Sequence, residues 1–347
     1  MRWENVHVAG VGVYLPEEVQ TAEQAVAEGR YDATAAAVNG VRAVRVAGPG
    51  ETGPVMAAEA GRQALARSGH APQDIDLVLH ACTSHQGRDL WTPAHFVQRE
   101  VLGTHASAAI ELRQGCNGVL SGLELAASWA ASRPGSGAAL VTCGDAWHLP
   151  YVDRWTSDDQ TVFGDGGSAV VLSARGGFAR LLATVSRSDA SLEPLYRGMG
   201  PWDETPFPDG KPVRLGDRPG EWLLRDKVAY DDVLATVAGN FDETLRQVLE
   251  ESGTGLHDAR WFVHASMIRP IAEWGFGKRL GLDPARTTYE WSLDFGHVGS
   301  SDQLMGINHL AETGRLSPGD RVITVGAGTG FMWTAAVLEI EHTPDWP

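Results

Sequence analysis

Residues 68–81, SGHAPQDIDLVLHA, run in register with residues 252–265, SGTGLHDARWFVHA. Ser68, Gly69, Asp74, His80 and Ala81 recur as Ser252, Gly253, Asp258, His264 and Ala265, at a constant offset of 184. Carried along without a gap, the offset also pairs Gly122 with Gly306, Pro134-Gly135 with Pro318-Gly319 and Gly144 with Gly328. Several identities at one offset point to an internal duplication, which sets the architecture before any single element does. Coincidence in a Gly- and Ala-rich chain is the competing account.

Each copy alternates helix and strand. In the first, Val55–Ala66 reads as helix, Leu77–Ala81 and Ala108–Leu112 as strands, Val119–Ala131 as an apolar helix and Ala138–Thr142 as a third strand. The second repeats this with Tyr230–Glu251, Trp261–His264, Tyr289–Phe295, Asp302–Glu312 and Val322–Val325. Strands separated by helices imply βαβ crossovers and sheets covered on both faces. The expected fold is α/β: duplicated βαβαβ halves in a layered α-β-α-β-α sandwich. Val119–Ala131 is apolar nearly all round, as a helix between two sheets must be. Residues 1–185 form the first half and 228–347 the second. Between them, 186–227 breaks the pattern with prolines, glycines, Trp202 and Trp222. Its apolar content favours an ordered lid or pocket wall, and a plain connection is the alternative.

The 347 residues suffice for two half-domains sharing one core. A net charge of −16 argues against nucleic acid or an anionic membrane as the main partner, while local basic patches leave an acidic carrier protein open. The opening MRWENVHVAGVGVYLPEE reads as a strand entering a turn at Pro16, without the basic and apolar regions of a secretory leader. Cys82, Cys116 and Cys143 give neither a disulfide framework nor metal-ligand spacing, so no metal is expected. A cytoplasmic protein with at least one reactive thiol is the simplest reading. Cys116 stands between a strand and a helix, where a thiolate would face the positive helix end. An inert buried cysteine is the bland alternative. Cys82 and Cys143 lie within apolar strands and read as packing.

Six segments in order resemble the ketoacyl synthase III family of the thiolase superfamily over nearly the whole chain. They are GVGVYLPEE, RQGCNGVLSGLELA (113–126), FGDGGSAVVL (163–172), VHAS (263–266), LDFGHVGSSD (293–302) and GAGTGFMW (326–333). The resemblance implies a thiolase-like fold, a homodimer and Cys116 as the residue that carries an acyl group. It implies acyl-CoA or acyl carrier protein thioesters as donor, with no permanently bound cofactor. The backbone N–H groups of Cys116 and Thr329 would bind the oxyanion, Thr329 standing where the family has glycine. His264 falls on the family's histidine. The repeat makes its partner His80, a residue in a non-catalytic place, so inherited structure competes with a direct role.

The departures bear on the reaction. Where the family has asparagine this chain has His297, followed by Asp302. A histidine accepts a proton near neutral pH where asparagine cannot, and a carboxylate on its far nitrogen fixes the tautomer. Cys116, His297 and Asp302 therefore read as nucleophile, base and orienter, with a helix cap as the plain account of Asp302. A base beside an acyl-cysteine favours transfer to a hydroxyl. That pattern resembles the ketosynthase III-like acyltransferases of antibiotic pathways, of the cervimycin malonyl transferase type, which move malonyl or other acyl groups onto sugar or polyketide hydroxyls. Met267 replaces a family asparagine, and Ala327 stands at a position that often carries a bulky phenylalanine lining the acyl pocket, implying more room. Arg269 matches a family arginine near the pocket entrance; with Lys278 and Arg279 it forms a phosphate or carrier patch, or merely exposed helix charge. The rivals are a decarboxylative condensing enzyme and a silent partner subunit.

Overall fold

The computed structural model describes residues 1–103, 107–133, 135, 137–207 and 210–346; Pro134 of the repeat and residues 208–209 of the central segment lie outside them. The first half runs β1 (His7–Tyr14), β2 (Val19–Thr21), α1 (Ala22–Ala27), α2 (Ala33–Asn39), β3 (Ala43–Arg45), α3 (Gly53–Arg67) and β4 (Ile75–Ala81). It continues through α4 (Pro93–Leu102), β5 (Ala108–Leu112), α5 (Gly118–Ala131), β6 (Ala138–Asp145) and β7 (Gly166–Ser173). Next come β8 (Ala179–Ser188), α6 (Pro194–Arg197), α7 (Asp217–Asp226) and α8 (Tyr230–Ser252). The chain ends with β9 (Trp261–Val263), α9 (Arg269–Ala272), α10 (Tyr289–Ser292), α11 (Asp302–Glu312), β10 (Arg321–Gly328) and β11 (Met332–Ile340).

Nine strands form one mixed sheet in the order β5-β4-β6-β7-β1-β8-β11-β10-β9. Its halves join where His7 and Val8 of β1 meet Arg180 and Ala179 of β8, with a further bridge from Arg2 to Ala183. That narrow hinge lets the halves fold over one another with α5 and α11 between them. Val119, Leu123, Leu304 and Ile307 of these helices share one buried cluster with Leu79, Val141, Val263 and Val322 from both halves. α3 covers the outer face of the first half and α8 that of the second. The layers are thus α-β-α-β-α, as the duplication predicts. Leu125 of α5 departs from the all-apolar burial, being 51% exposed.

One expected strand is corrected. Tyr289–Ser292 is a single helical turn, and residues 293–295 continue it as turn, with Leu293 still in the right-handed helical region. The Leu293 and Phe295 carbonyls accept the amides of Arg42, Ala43 and Arg45, so this stretch docks beside β3 instead of extending the main sheet. The alternation that read as a strand is real, with Leu293 and Phe295 buried and Asp294 exposed.

Candidate active site

Cys116 lies in a one-turn 3-10 segment, Gly115–Asn117, at the N-terminal end of α5. Gly115 has φ +52, and a Cβ there would fall 2.6 Å from Thr329 Oγ1 and 2.9 Å from the Thr329 nitrogen. Glycine is required because the turn between β10 and β11 presses on the cysteine's own turn. The Thr329 amide thus adjoins the Cys116 segment, where two N–H groups could serve one oxyanion. The equivalent junction of the second half is present too: a Cβ on Gly118 would meet Ser300 Oγ at 3.2 Å.

His297 enters from the loop before α11. Its amide donates to the Val162 carbonyl at 2.7 Å, and its carbonyl accepts Gly164 N–H at 3.0 Å. Two main-chain bonds therefore fix the residue before its ring makes any contact. Nε2 lies 3.0 Å from Cys116 Sγ and Nδ1 lies 2.6 Å from Asp302 Oδ2. Asp302 is the first residue of α11, yet it does more than cap. Oδ1 accepts Val298 N–H at 2.8 Å, and Oδ2 also accepts Ser266 N–H at 2.7 Å. Burial opposes a charged imidazole, but the charges of Asp302 and Cys116 and their hydrogen bonds overcome it. The His297 pKa is held well above its ordinary value.

His264 is placed elsewhere. Its Nδ1 donates to the Ala265 carbonyl at 2.8 Å, and its ring stacks on Phe276 with centroids 3.8 Å apart. It faces a cavity of about 330 Å³ shared with Phe276, Leu282 and Tyr289. Burial pulls its pKa down to about 4, so the ring is neutral and Nε2 is an acceptor. Among the described residues it makes no hydrogen bond to Cys116 or His297.

The other sequence-nominated residues spread around this centre. Ala327 pairs with Trp333 across β10 and β11 and packs against the cluster that holds Trp222. Met267 offers its carbonyl to Tyr289 Oη at 3.2 Å. Arg269 lies against the end of α2, where a Cβ on Gly40 would meet its Nε at 2.5 Å. The Phe-Gly-Asp-Gly segment is scaffold: a Cβ on Gly164 would sit 1.8 Å from the Phe295 carbonyl oxygen. Asp165 holds the Ala47 and Trp147 amides, each at 2.8 Å, and pairs with buried Arg154 at 3.0 Å.

Two residues at the centre went unnoticed in the sequence. Burial raises the Asp158 carboxyl, against the Gln160 N–H and the His297 charge. Burial, then the charges of Asp158 and Cys116, push the Tyr196 phenol well above its ordinary range. Nothing in the local sequence marks either one; Tyr196 comes from α6, in the segment after β8.

Residues 110–190 match 3-oxoacyl-[acyl-carrier-protein] synthase III, and residues 249–340 match the C-terminal part of the same enzyme. The chain is 30% identical to beta-ketoacyl-[acyl-carrier-protein] synthase III of Rhizorhabdus wittichii over 336 residues, covering 95% of this chain and 98% of that one. It is 31% identical to the Nitratidesulfovibrio vulgaris enzyme of that name, covering 95% and 97% of the two chains. Among solved structures it is similar to the acyltransferase ChlB3, with TM-score 0.92, 34% identity and 99% and 100% of the two chains covered. The synthase III of Aquifex aeolicus shares the thiolase-like fold, with TM-score 0.78 at 22% identity over 96% of this chain and 99% of that one. Sequence relatives covered almost end to end, and a fold that agrees with theirs, lead to one statement: the chain belongs to the 3-oxoacyl-[acyl-carrier-protein] synthase III family.

Proposed function

We propose that the protein is an ester-forming acyltransferase, which moves an acyl group from a CoA or carrier-protein thioester through acyl-Cys116 to a hydroxyl of a sugar or polyketide acceptor. The observation that carries this reading is the continuous contact Sγ–Nε2 and Nδ1–Oδ2 through Cys116, His297 and Asp302. The Cys116 thiolate attacks the donor carbonyl, and the oxyanion is held by the Cys116 and Thr329 N–H groups. The carbon–sulfur bond to the donor breaks, and the leaving thiolate takes the proton of the His297 imidazolium. Acylation removes the negative charge that had helped hold that proton. The neutral His297, oriented by Asp302, then accepts the proton of the acceptor hydroxyl as its oxygen attacks. Expulsion of the Cys116 thiolate restores the starting pair.

The condensing alternative calls for Asn and His side chains on the thioester oxygen. Here the asparagine is replaced, and among the described residues the His264 ring bonds the Ala265 carbonyl while Cys116 meets His297, which favours transfer to oxygen. The similarity to ChlB3 supports the same choice, as does the resemblance to the cervimycin malonyl transferase type. We read the protein as cytoplasmic and as a homodimer. β5 is an edge strand with Ile110 48% exposed, and α5 carries the exposed Leu125, features suited to pairing with a second copy.

Intact-protein mass spectrometry after mixing with acyl-CoA thioesters tests the covalent step. One acyl mass should be added to the parent and none to Cys116→Ala, which should fold normally because alanine fits the same turn. Equal labelling of that variant rejects the mechanism. Carbon dioxide release from a malonyl donor without a hydroxyl acceptor would favour condensation instead.

A further inference from the structure

We propose that the cavity beside His264 is a binding site for a small phenol, whose ring rests on the aromatic wall and whose hydroxyl donates a hydrogen bond to His264 Nε2. Cys116, His297 and Asp302 do not line this cavity. Binding there requires nothing of the acyl-Cys116 chemistry.

The cavity measures about 330 Å³, with Ala272, Phe276, Leu282, Pro284 and Tyr289 around the His264 ring. That volume stands at the small end of ligand pockets, about 300–1,000 Å³, and suits one substituted ring, not a fused polycycle. The wall is aromatic. The His264 ring stacks on Phe276 with centroids 3.8 Å apart, and lies 5.8 Å from the Tyr289 ring at an interplanar angle of 27°. Phe276 is braced in turn by Phe262 at 5.7 Å and Phe241 at 6.2 Å. It belongs to a six-residue π-helical stretch, Glu273–Lys278, an irregularity frequent at functional sites.

Within this wall one polar atom is unspent. Tyr289 Oη donates to the Met267 carbonyl at 3.2 Å, and Thr287 Oγ1 donates to the Pro284 carbonyl at 2.9 Å. His264 Nδ1 donates to the Ala265 carbonyl at 2.8 Å, which leaves the ring's lone pair on Nε2. The residue is only 6% exposed, and among the described residues Nε2 has no hydrogen-bond partner. Burial holds the His264 pKa down at about 4, so Nε2 remains an acceptor at neutral pH. The ring is also fixed in this setting. The peptide group whose carbonyl takes Nδ1–H is held at its other end, where Ser266 N–H donates to Asp302 Oδ2 at 2.7 Å. A buried acceptor without a partner is rare in folded proteins, and a ligand that brings a donor removes its cost. Glu273 and Lys278, both exposed, complete the lining with opposite charges, so the site calls for a neutral molecule. A phenol meets each demand: one flat ring, no net charge and a single donor.

The test compares the binding of phenol with that of toluene, which has the same shape without the donor, by calorimetric titration of the full chain. Phenol should bind the parent about 10-fold more tightly than toluene, and the His264 Nε2 resonance should move as phenol is added. His264→Phe keeps a ring against Phe276 but removes the acceptor, so the two ligands should then bind alike. Phe276→Ala removes the wall and should weaken both. Protein whose Cys116 is blocked with iodoacetamide should bind phenol as the parent does. Equal binding of phenol and toluene by the parent, a stationary Nε2 resonance, or a folded His264→Phe protein that keeps the preference overturns the proposal. Phenol binding that disappears on blocking Cys116 overturns it as well, because the ligand would then lie at the reacting centre.

Discussion

His297 Nδ1 and Asp302 Oδ2 stand 2.6 Å apart, each side chain only 2% exposed. The carboxylate also holds the amides of Val298 and Ser266, so one residue fixes the imidazole, its loop and the end of β9. Asp302→Ala strands a buried imidazole and two amides, and should cost about 3–5 kcal/mol, the usual effect of breaking a buried pair from one side. Denaturant unfolding would measure it.

Asp302→Asn keeps the size but removes the charge, and its signature is in pH. The His297 pKa is raised in the folded protein, so the stability it contributes is present below the unfolded value near 6.5. It is lost as pH rises through the folded value. Without the Asp302 charge that folded value falls, and the alkaline loss of stability should begin at lower pH. The pH midpoint of the transfer step should move down as well. Urea midpoints at several pH values above 6, beside single-turnover transfer rates, check both. Coincident profiles for parent and variant would remove Asp302 from its orienting role.

His264 shows the opposite sign. Its folded pKa of about 4 lies below the unfolded value, so the unfolded chain binds the extra proton between about 6.5 and 4 and stability falls with pH across that window. The effect is on the order of 3 kcal/mol by pH 4. His264→Phe keeps a ring against Phe276 and should flatten this acid limb while Cys116 still acylates. A loss of labelling beyond about 10-fold, the lower end of what an essential proton-transfer group costs, would restore His264 to the reacting centre.

The two tryptophans of the central segment should part company. Trp222 is 6% exposed and packs with Leu192, Leu195 and Trp333, whereas Trp202 is 85% exposed beside Arg197. Trp222→Ala should destabilise by about 3–5 kcal/mol. Trp202→Ala should stay within about 0.5 kcal/mol. Thermal melts of both variants decide it, and a large loss at Trp202 would mean that it is covered by something beyond this chain.

Most of the layered fold was legible because duplication writes one architecture twice. Ser300 lies 184 residues after Cys116, and its side chain meets Gly118, which brings the cysteine turn to the His297 segment. Legibility stopped where a local pattern has two structural outcomes. Leu293 and Phe295 alternate as in a strand, but a helical turn precedes them and they pair with the loop carrying Arg42. The side chain of His264 was beyond reach for another reason. Its position on the family motif says where the backbone goes, whereas its ring direction follows from Phe276 and the Ala265 carbonyl. Asp158 and Tyr196 stayed hidden because their meaning arises from long-range folding, in the first half for one and in the central segment for the other.

His297→Asn tests the departure on which the reaction depends. Asparagine restores the family's residue and keeps one donor near Cys116, but it cannot take a proton at neutral pH. Acylation requires the thiolate and the two backbone amides, so it should continue, slowed by loss of the imidazolium partner. Transfer requires a base for the incoming hydroxyl and should fall by about 10²–10⁴-fold. The acyl-enzyme then becomes the longest-lived species, and intact-mass measurement should trap it. Asp302 keeps its bonds to Val298 and Ser266, but its buried charge loses the imidazolium, so a lower melting temperature is expected beside the kinetic change. Single-turnover acylation and acceptor-dependent deacylation must be timed separately, since a folding defect lowers the active fraction in both, whereas base removal acts mainly on the second. A folded His297→Asn protein that deacylates onto its hydroxyl acceptor at the parent rate would end the triad reading. Such a result would leave His264, neutral and with Nε2 an acceptor, as the surviving candidate base.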